Sequence, residues 1–196
     1  MGLWDSITGR SKVTKADLDA LFLVPSAAIT LQTAAGLNPT GTGSVCFRSA
    51  AGAAFHETQD DVVALIGEDP QAPQVEVSTD GFGFTWLVVH RGADETGGPD
   101  IGALCTDLHA VNTTLETQGF ASGLLCSVIP FADKSGRKVG LVYLYKQGTF
   151  YAFAPTGEGQ QRDNLLEISV RDQLTAELPM EPDLSRWFAL WGAPGL

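Results

Sequence analysis

Residues 124–154 read LLCSVIPFADKSGRKVGLVYLYKQGTFYAFA. Three runs rich in β-branched and aromatic residues, 124–131, 138–146 and 149–154, are separated only by ADKSGR and QG. Connections this short join antiparallel neighbours, because a parallel pair needs a crossover of a dozen residues or more. The stretch therefore predicts a three-stranded meander. Within it, alternation sets Tyr143 and Tyr145 on the face opposite Val142 and Leu144. One tyrosine-bearing face then lies either under helices or open to an extended or helical partner.

Moving towards the amino end, VEVSTDGFGFTWLVVHR places two β-rich runs around Asp80-Gly81, a strong hairpin signal. The second run, 82–90, reads as a strand that carries Phe82, Phe84 and Trp86 on one face. Between this hairpin and the meander, Ile101, Leu104, Cys105, Leu108, Val111 and Leu115 recur at helical spacing over 100–118, with Gly119 closing the helix. The polar loop GADETGGPD before it is the best candidate for a break between halves. Val45 and Phe47 share a face of a short strand in GTGSVCFRSA, and 56–67 suggests a short helix with Val62, Val63 and Ile66 inward.

Residues 14–36 read as helical in two pieces. Thr14 caps, Asp17 takes the third position, and Leu18, Leu21 and Phe22 form an apolar face. Pro25 interrupts and opens a second piece through Ala28, Ile29 and Leu31, ending near Gly36. Residues 160–177 give a last helix with Leu166, Val170 and Leu174 one turn apart, stopped by Pro179 and Pro182. Hairpin connections dominate. The expected fold is α+β: a largely antiparallel sheet of five to six strands with helices on one face, in two layers. The expected division is an amphipathic segment at 1–13, a single domain at 14–178 and an aromatic-rich tail at 179–196.

The chain has 196 residues, 44% hydrophobic and 18% charged, enough to bury a core. No apolar run reaches the roughly 18 residues of a membrane span, and the opening lacks the long apolar stretch of a secretory signal. A net charge of −11 without a basic stripe argues against nucleic acid. Three cysteines, Cys46, Cys105 and Cys126, all in apolar contexts, read as buried free thiols in a reducing compartment.

Chemistry-bearing motifs are scarce. Cys105 and His109, four apart on one helix, could share a metal ion, but the spacing is that of a lone pair. No nucleophile elbow, phosphate loop or dinucleotide fingerprint appears. Catalytic, cofactor and metal residues are therefore expected to be none.

The opening MGLWDSITGRSK holds Leu3, Trp4 and Ile7 on one side of a short helix, trailed by Arg10, Lys12 and Lys15. Such a wedge suits either an anionic membrane surface or a protein partner, and it equally suits docking on the domain itself. Near the other end, Trp187, Phe188 and Trp191 form a second candidate partner contact, with packing on the core as the alternative.

The opening, together with KADLDALFLVPSAAITLQTAAGLNPTGTGSVCFR at 15–48 and DGFGFTWLVV at 80–89, resembles the bacterial PspAB family, the phage-shock-protein-A-associated proteins. The arrangement of helices around a mostly antiparallel sheet is similar in layout to the YbjN and secretion-chaperone type of fold. The resemblance implies a non-enzymatic accessory or adaptor of the envelope stress response. Its expected partner is the phage-shock scaffold protein, and its expected location is cytoplasmic, peripheral at the inner membrane face. The motif M-G-x-x-x-S also fits myristoylation, which needs a eukaryotic enzyme and so does not suit a bacterial protein. The rival expectations are a chaperone-like binding module independent of membrane, and a metal protein or enzyme. Monomer and homodimer both remain open.

Overall fold

The computed structural model describes residues 17–48, 63–64, 74–93, 97–157 and 159–196. The meander is present as β5 (Leu124–Ala132), β6 (Lys138–Leu144) and β7 (Thr149–Phe153), each antiparallel to the next. The Asp80-Gly81 hairpin is present as β3 (Val75–Thr79) and β4 (Thr85–His90). β2 (Thr42–Phe47) lies between the two motifs, antiparallel to β4 on one side and β5 on the other. The sheet order is therefore β3-β4-β2-β5-β6-β7. This six-strand path agrees with the expected sheet, and among the described residues a two-residue β1 (Asn38–Pro39) adds to it on β5.

The central position of β2 corrects one expectation. GADETGGPD does not separate two halves, because β2 hydrogen-bonds to strands from both sides of that loop. A second correction concerns strand 82–90, which starts at Thr85. Asp80 holds the preceding residues in a turn by accepting from the backbone N–H groups of Phe82 (2.9 Å) and Phe84 (3.0 Å).

Among the described residues, three complete α-helices accompany the sheet: α1 (Val24–Ala35), α2 (Ile101–Thr117) and α3 (Asn164–Leu174). A 3-10 turn, Leu18–Leu23, leads into α1. Pro25 sits in its first turn, and Gly36 closes it at φ 66°, a left-handed conformation that glycine adopts without a Cβ clash. Leu18–Ala35 has 18 residues with a mean hydropathy of 1.4, enough by length and composition to cross a membrane. Its apolar character serves the core instead: Leu18, Leu21, Val24, Ala27, Ala28 and Leu31 are all buried. Phe22 and Ile29 depart from the expected inward face and are 46% and 64% exposed.

Asp100 caps α2 by accepting from Ala103 N–H at 2.8 Å, and Asp163 caps α3 by accepting from Leu166 N–H at 3.0 Å. The last helix is shorter than 160–177 because residues 161–162 form a small hairpin strand, β9, with β8 (Pro155–Thr156). Thr14 and most of 56–67 lie outside the described residues.

The helices pack on one face, as expected. That layer joins α1, α2 and α3 to the inward set Val45, Phe47, Leu87, Val89, Ile129, Phe131, Leu141, Tyr143 and Phe150. Gly43 permits the approach of α2 to β2, since a Cβ there would meet Leu108 Cδ1 at 2.9 Å. Asn112 of α2 donates to Ser127 Oγ of β5 at 2.9 Å, and the guanidinium of Arg91 grips Asp107 through two nitrogens. Tyr143 and Tyr145 lie under the helices, so the tyrosine face is not the open one. Cys105 is fully buried in this layer, while His109 stands at its edge, 3.4 Å from Asp19 and stacked near Phe22.

The outer face of the sheet carries Cys46, Trp86, Val88, Cys126, Val128, Val142, Leu144, Tyr151 and Phe153, and the carboxyl-terminal tail packs against it. Met180 bridges beside Phe150 of β7, after which the chain turns over the sheet. Leu196 comes to rest on Gly140, where a Cβ would meet its Cδ1 at 2.7 Å.

Glu177, after α3, ties that helix to α1 by accepting from Ser26 Oγ (2.8 Å) and Thr30 Oγ1 (2.5 Å). The Thr30 bond, then the Ser26 bond, lowers its carboxyl below the usual range. A depressed folded pKa contributes stability above the ordinary glutamate pKa, and that contribution is lost as pH falls through the lowered value. The difference in urea midpoint between wild type and Glu177→Gln is therefore expected to be largest at neutral pH and to close in acid. A difference that stays constant with pH would show that the charge of Glu177 plays no part.

Candidate partner-binding groove

A row of residues crosses the outer face: Trp86 of β4 is the register partner of Cys46 in β2, Cys46 of Cys126 in β5, and Cys126 of Leu144 in β6. This row floors a groove of about 440 Å³. The β3–β4 turn forms one wall through Phe82 and Phe84. The tail forms the other through Phe188, Leu190 and Trp191. Mostly apolar walls around a few polar groups are typical of a binding site, and the volume lies in the usual range for one.

Each wall is held by identifiable bonds. Asp80 accepts from Trp86 Nε1–H at 2.9 Å as well as from the turn amides, so its carboxylate is fully engaged. On the tail side, Tyr151 donates its hydroxyl to Phe188 O at 2.9 Å, and burial pushes that phenol up. Trp187 Nε1–H donates to Glu181 O at 3.1 Å. Asp183 starts a 3-10 turn, Leu184–Arg186, by accepting from Ser185, and those bonds lower its carboxyl.

Two cations mark one end of the groove. Arg48 follows β2 and lies 5.6 Å from the Phe84 ring centroid. Lys146 follows β6 and donates to Ser122 O at 3.2 Å. Arg48 N–H bonds to Gly123 O, so both basic residues flank the start of β5. A local positive end on a chain of net charge −11 favours a ligand that brings carboxylates or phosphates there.

The thiols in the floor belong together. Cys46 and Cys126 are free, buried and opposite each other in the ladder. The facing Cys126 thiol, then burial, pushes the Cys46 thiol up, so at neutral pH it is mostly protonated and reacts slowly through a small thiolate fraction. Cys105 is pushed up to about 12 by burial alone.

The candidate contacts from the sequence separate here. Trp187 is 6% exposed and belongs to the core, so it is corrected from contact to support. Phe188 is 61% exposed, and Trp191 is half-buried, edge-on to Phe153 at 5.0 Å. Leu3, Trp4, Ile7, Arg10, Lys12 and Lys15 lie outside the described residues. Phe82, Phe84 and Trp86, expected on one strand face, do line one groove, but the first two reach it from the turn before the strand. The contributions of Arg48, Lys146, Cys46 and Cys126 were missed, because they depend on which strands become neighbours. Among the described residues, no three His, Cys, Asp or Glu side chains are grouped to hold a metal ion.

A family model described as PspAB, PspA associated protein B, matches residues 1–195. No curated protein and no solved structure matches the chain.

Proposed function

Since the chain belongs to the PspAB family, we propose that it is a non-enzymatic accessory of the phage-shock response that binds the scaffold protein PspA through the groove on the outer sheet face. The family description supports the partner. The groove supports the mode of binding: an apolar trough, flanked by the exposed rings of Phe82 and Phe188, with Arg48 and Lys146 at one end. An amphipathic segment of the partner would lay its apolar side chains in the trough and bring carboxylates to the basic end. The amino-terminal Leu3, Trp4 and Ile7, followed by Arg10, Lys12 and Lys15, would place this adaptor at the cytoplasmic membrane face.

Titration calorimetry with purified PspA tests the contact. Phe82→Ser combined with Phe188→Ser is expected to weaken binding about tenfold or more, because aromatic anchors carry most of the energy of such contacts. Both rings are exposed, so the fold should survive. In the same series, Trp4→Ser with Ile7→Ser should leave PspA affinity intact and reduce flotation with anionic vesicles. Unchanged affinity in the Phe82/Phe188 variant would remove the groove as the binding site. Unchanged flotation in the Trp4/Ile7 variant would remove the membrane part.

A further inference from the structure

The thiol pair in the groove floor supports an inference that does not depend on which partner binds above it. Cys46 and Cys126 are direct register partners on neighbouring antiparallel strands, and both side chains are buried on the outer face of the sheet. Opposed residues in such a pair have Cα atoms about 4.5–5.5 Å apart, inside the roughly 4.4–6.8 Å window of disulfides. The ladder shifts register between Cys46 and Phe47, so the backbone beside the pair is already irregular and can adjust. Both residues line the groove, which gives a small molecule a path to the sulfurs although they are only 2% and 4% exposed. Cys105 is excluded by position: it is fully buried in the layer on the opposite side of the sheet.

We propose that Cys46 and Cys126 are a redox modification site, closing to a reversible disulfide across β2 and β5 when an apolar hydroperoxide enters the groove. The apolar walls favour an oxidant of that class over a hydrated one. One sulfur, as the thiolate, attacks the outer peroxide oxygen. The O–O bond breaks, and the alkoxide leaves and takes a proton to become an alcohol. The resulting sulfenic acid is attacked by the second sulfur; the S–O bond breaks, and hydroxide takes the remaining proton and departs as water. Two thiols lose two electrons to one hydroperoxide. A dithiol reductant restores the pair by exchange. The bond would form beside Trp86, the other register partner of Cys46, so the indole reports the change.

The experiment treats the full chain with cumene hydroperoxide, then denatures it and alkylates the remaining thiols. Reduced protein should take up three alkyl groups. Oxidised protein should take up one, on Cys105, with a loss of two hydrogen masses and a linked peptide joining Cys46 to Cys126. Dithiothreitol should restore all three. Tryptophan emission should fall on oxidation and recover on reduction. Cys105→Ser should keep the linkage, whereas Cys46→Ser and Cys126→Ser should lose it. Uptake of three alkyl groups after oxidation, a bridge that includes Cys105, or a bridge only between two chains would each overturn the proposal. Because wild-type protein carries the decisive measurement, instability of a serine variant cannot imitate these results.

Discussion

Trp187→Ala is expected to cost about 3–5 kcal/mol of unfolding free energy, while Phe188→Ala moves it by no more than about 0.5 kcal/mol. The two residues are adjacent in sequence and opposite in environment. Trp187 is 6% exposed, with its ring centroid 5.8 Å from that of Tyr151 and its indole N–H on Glu181 O. Truncation removes that burial and leaves a void over Tyr151 that the rigid sheet below cannot fill. It also strands a carbonyl, since Glu181 O loses its indole donor. Phe188 contributes only its backbone carbonyl, to the Tyr151 hydroxyl, and any side chain preserves that bond. Since domains of this size are stable by about 5–15 kcal/mol, a loss of this size is a large share of the total. Urea unfolding of the two variants beside wild type measures it. Equal, small effects would mean that the tail only rests on the sheet instead of completing its second apolar layer.

That second layer separates what the sequence made legible from what it did not. Local signals sufficed for the meander, whose short connections leave little topological choice, and for α2, where apolar period and Gly119 agree. They sufficed for Pro25 and Gly36 at the ends of α1. They also placed Phe82, Phe84 and Trp86 on one face, although Asp80 turns the first two out of the strand. The position of β2 was not legible, because nothing local states that Cys46 should lie between Trp86 and Cys126. The groove inherits that gap: its floor, its thiol pair and its two cations exist only once β2 has entered between the hairpin and the meander. Phe22 and Ile29 were misassigned for a related reason. Their helical phase is compatible with the core, but Leu21, Val24, Ala27, Ala28 and Leu31 take the buried positions, and Phe22 and Ile29 turn to solvent. The tail is apolar enough to suggest either a contact or a cover, and only its hydrogen bonds to Tyr151, Glu181 and Arg162 decide for a cover at Trp187.

Arg162 joins the elements around that cover, and its removal carries the other large expected effect. Its Nε–H donates to Glu167 Oε1 at 2.9 Å and its Nη1–H to Trp187 O at 2.6 Å, while its guanidinium lies 5.1 Å from the Phe153 ring centroid. Glu167 is 2% exposed, and its only other bond from the described residues is from Ala154 N–H at 2.8 Å. Arg162→Met keeps the side-chain volume over Phe153 but leaves a buried carboxylate without its cation, which is expected to cost about 3–5 kcal/mol. The pair itself is worth much less than that, since bringing two charges out of water offsets most of their attraction. Adding Glu167→Gln to Arg162→Met should therefore recover most of the loss: the amide oxygen can still accept from Ala154, and no charge remains to be buried. Glu167→Gln alone should fall between wild type and Arg162→Met, because Arg162 is partly solvated and retains Trp187 O as an acceptor. Chemical unfolding of the four proteins closes a double-mutant cycle, and a coupling energy of several kcal/mol is the expected result. A double variant as unstable as Arg162→Met alone would show instead that the guanidinium acts through the tail carbonyl and the Phe153 ring, with the ion pair contributing little.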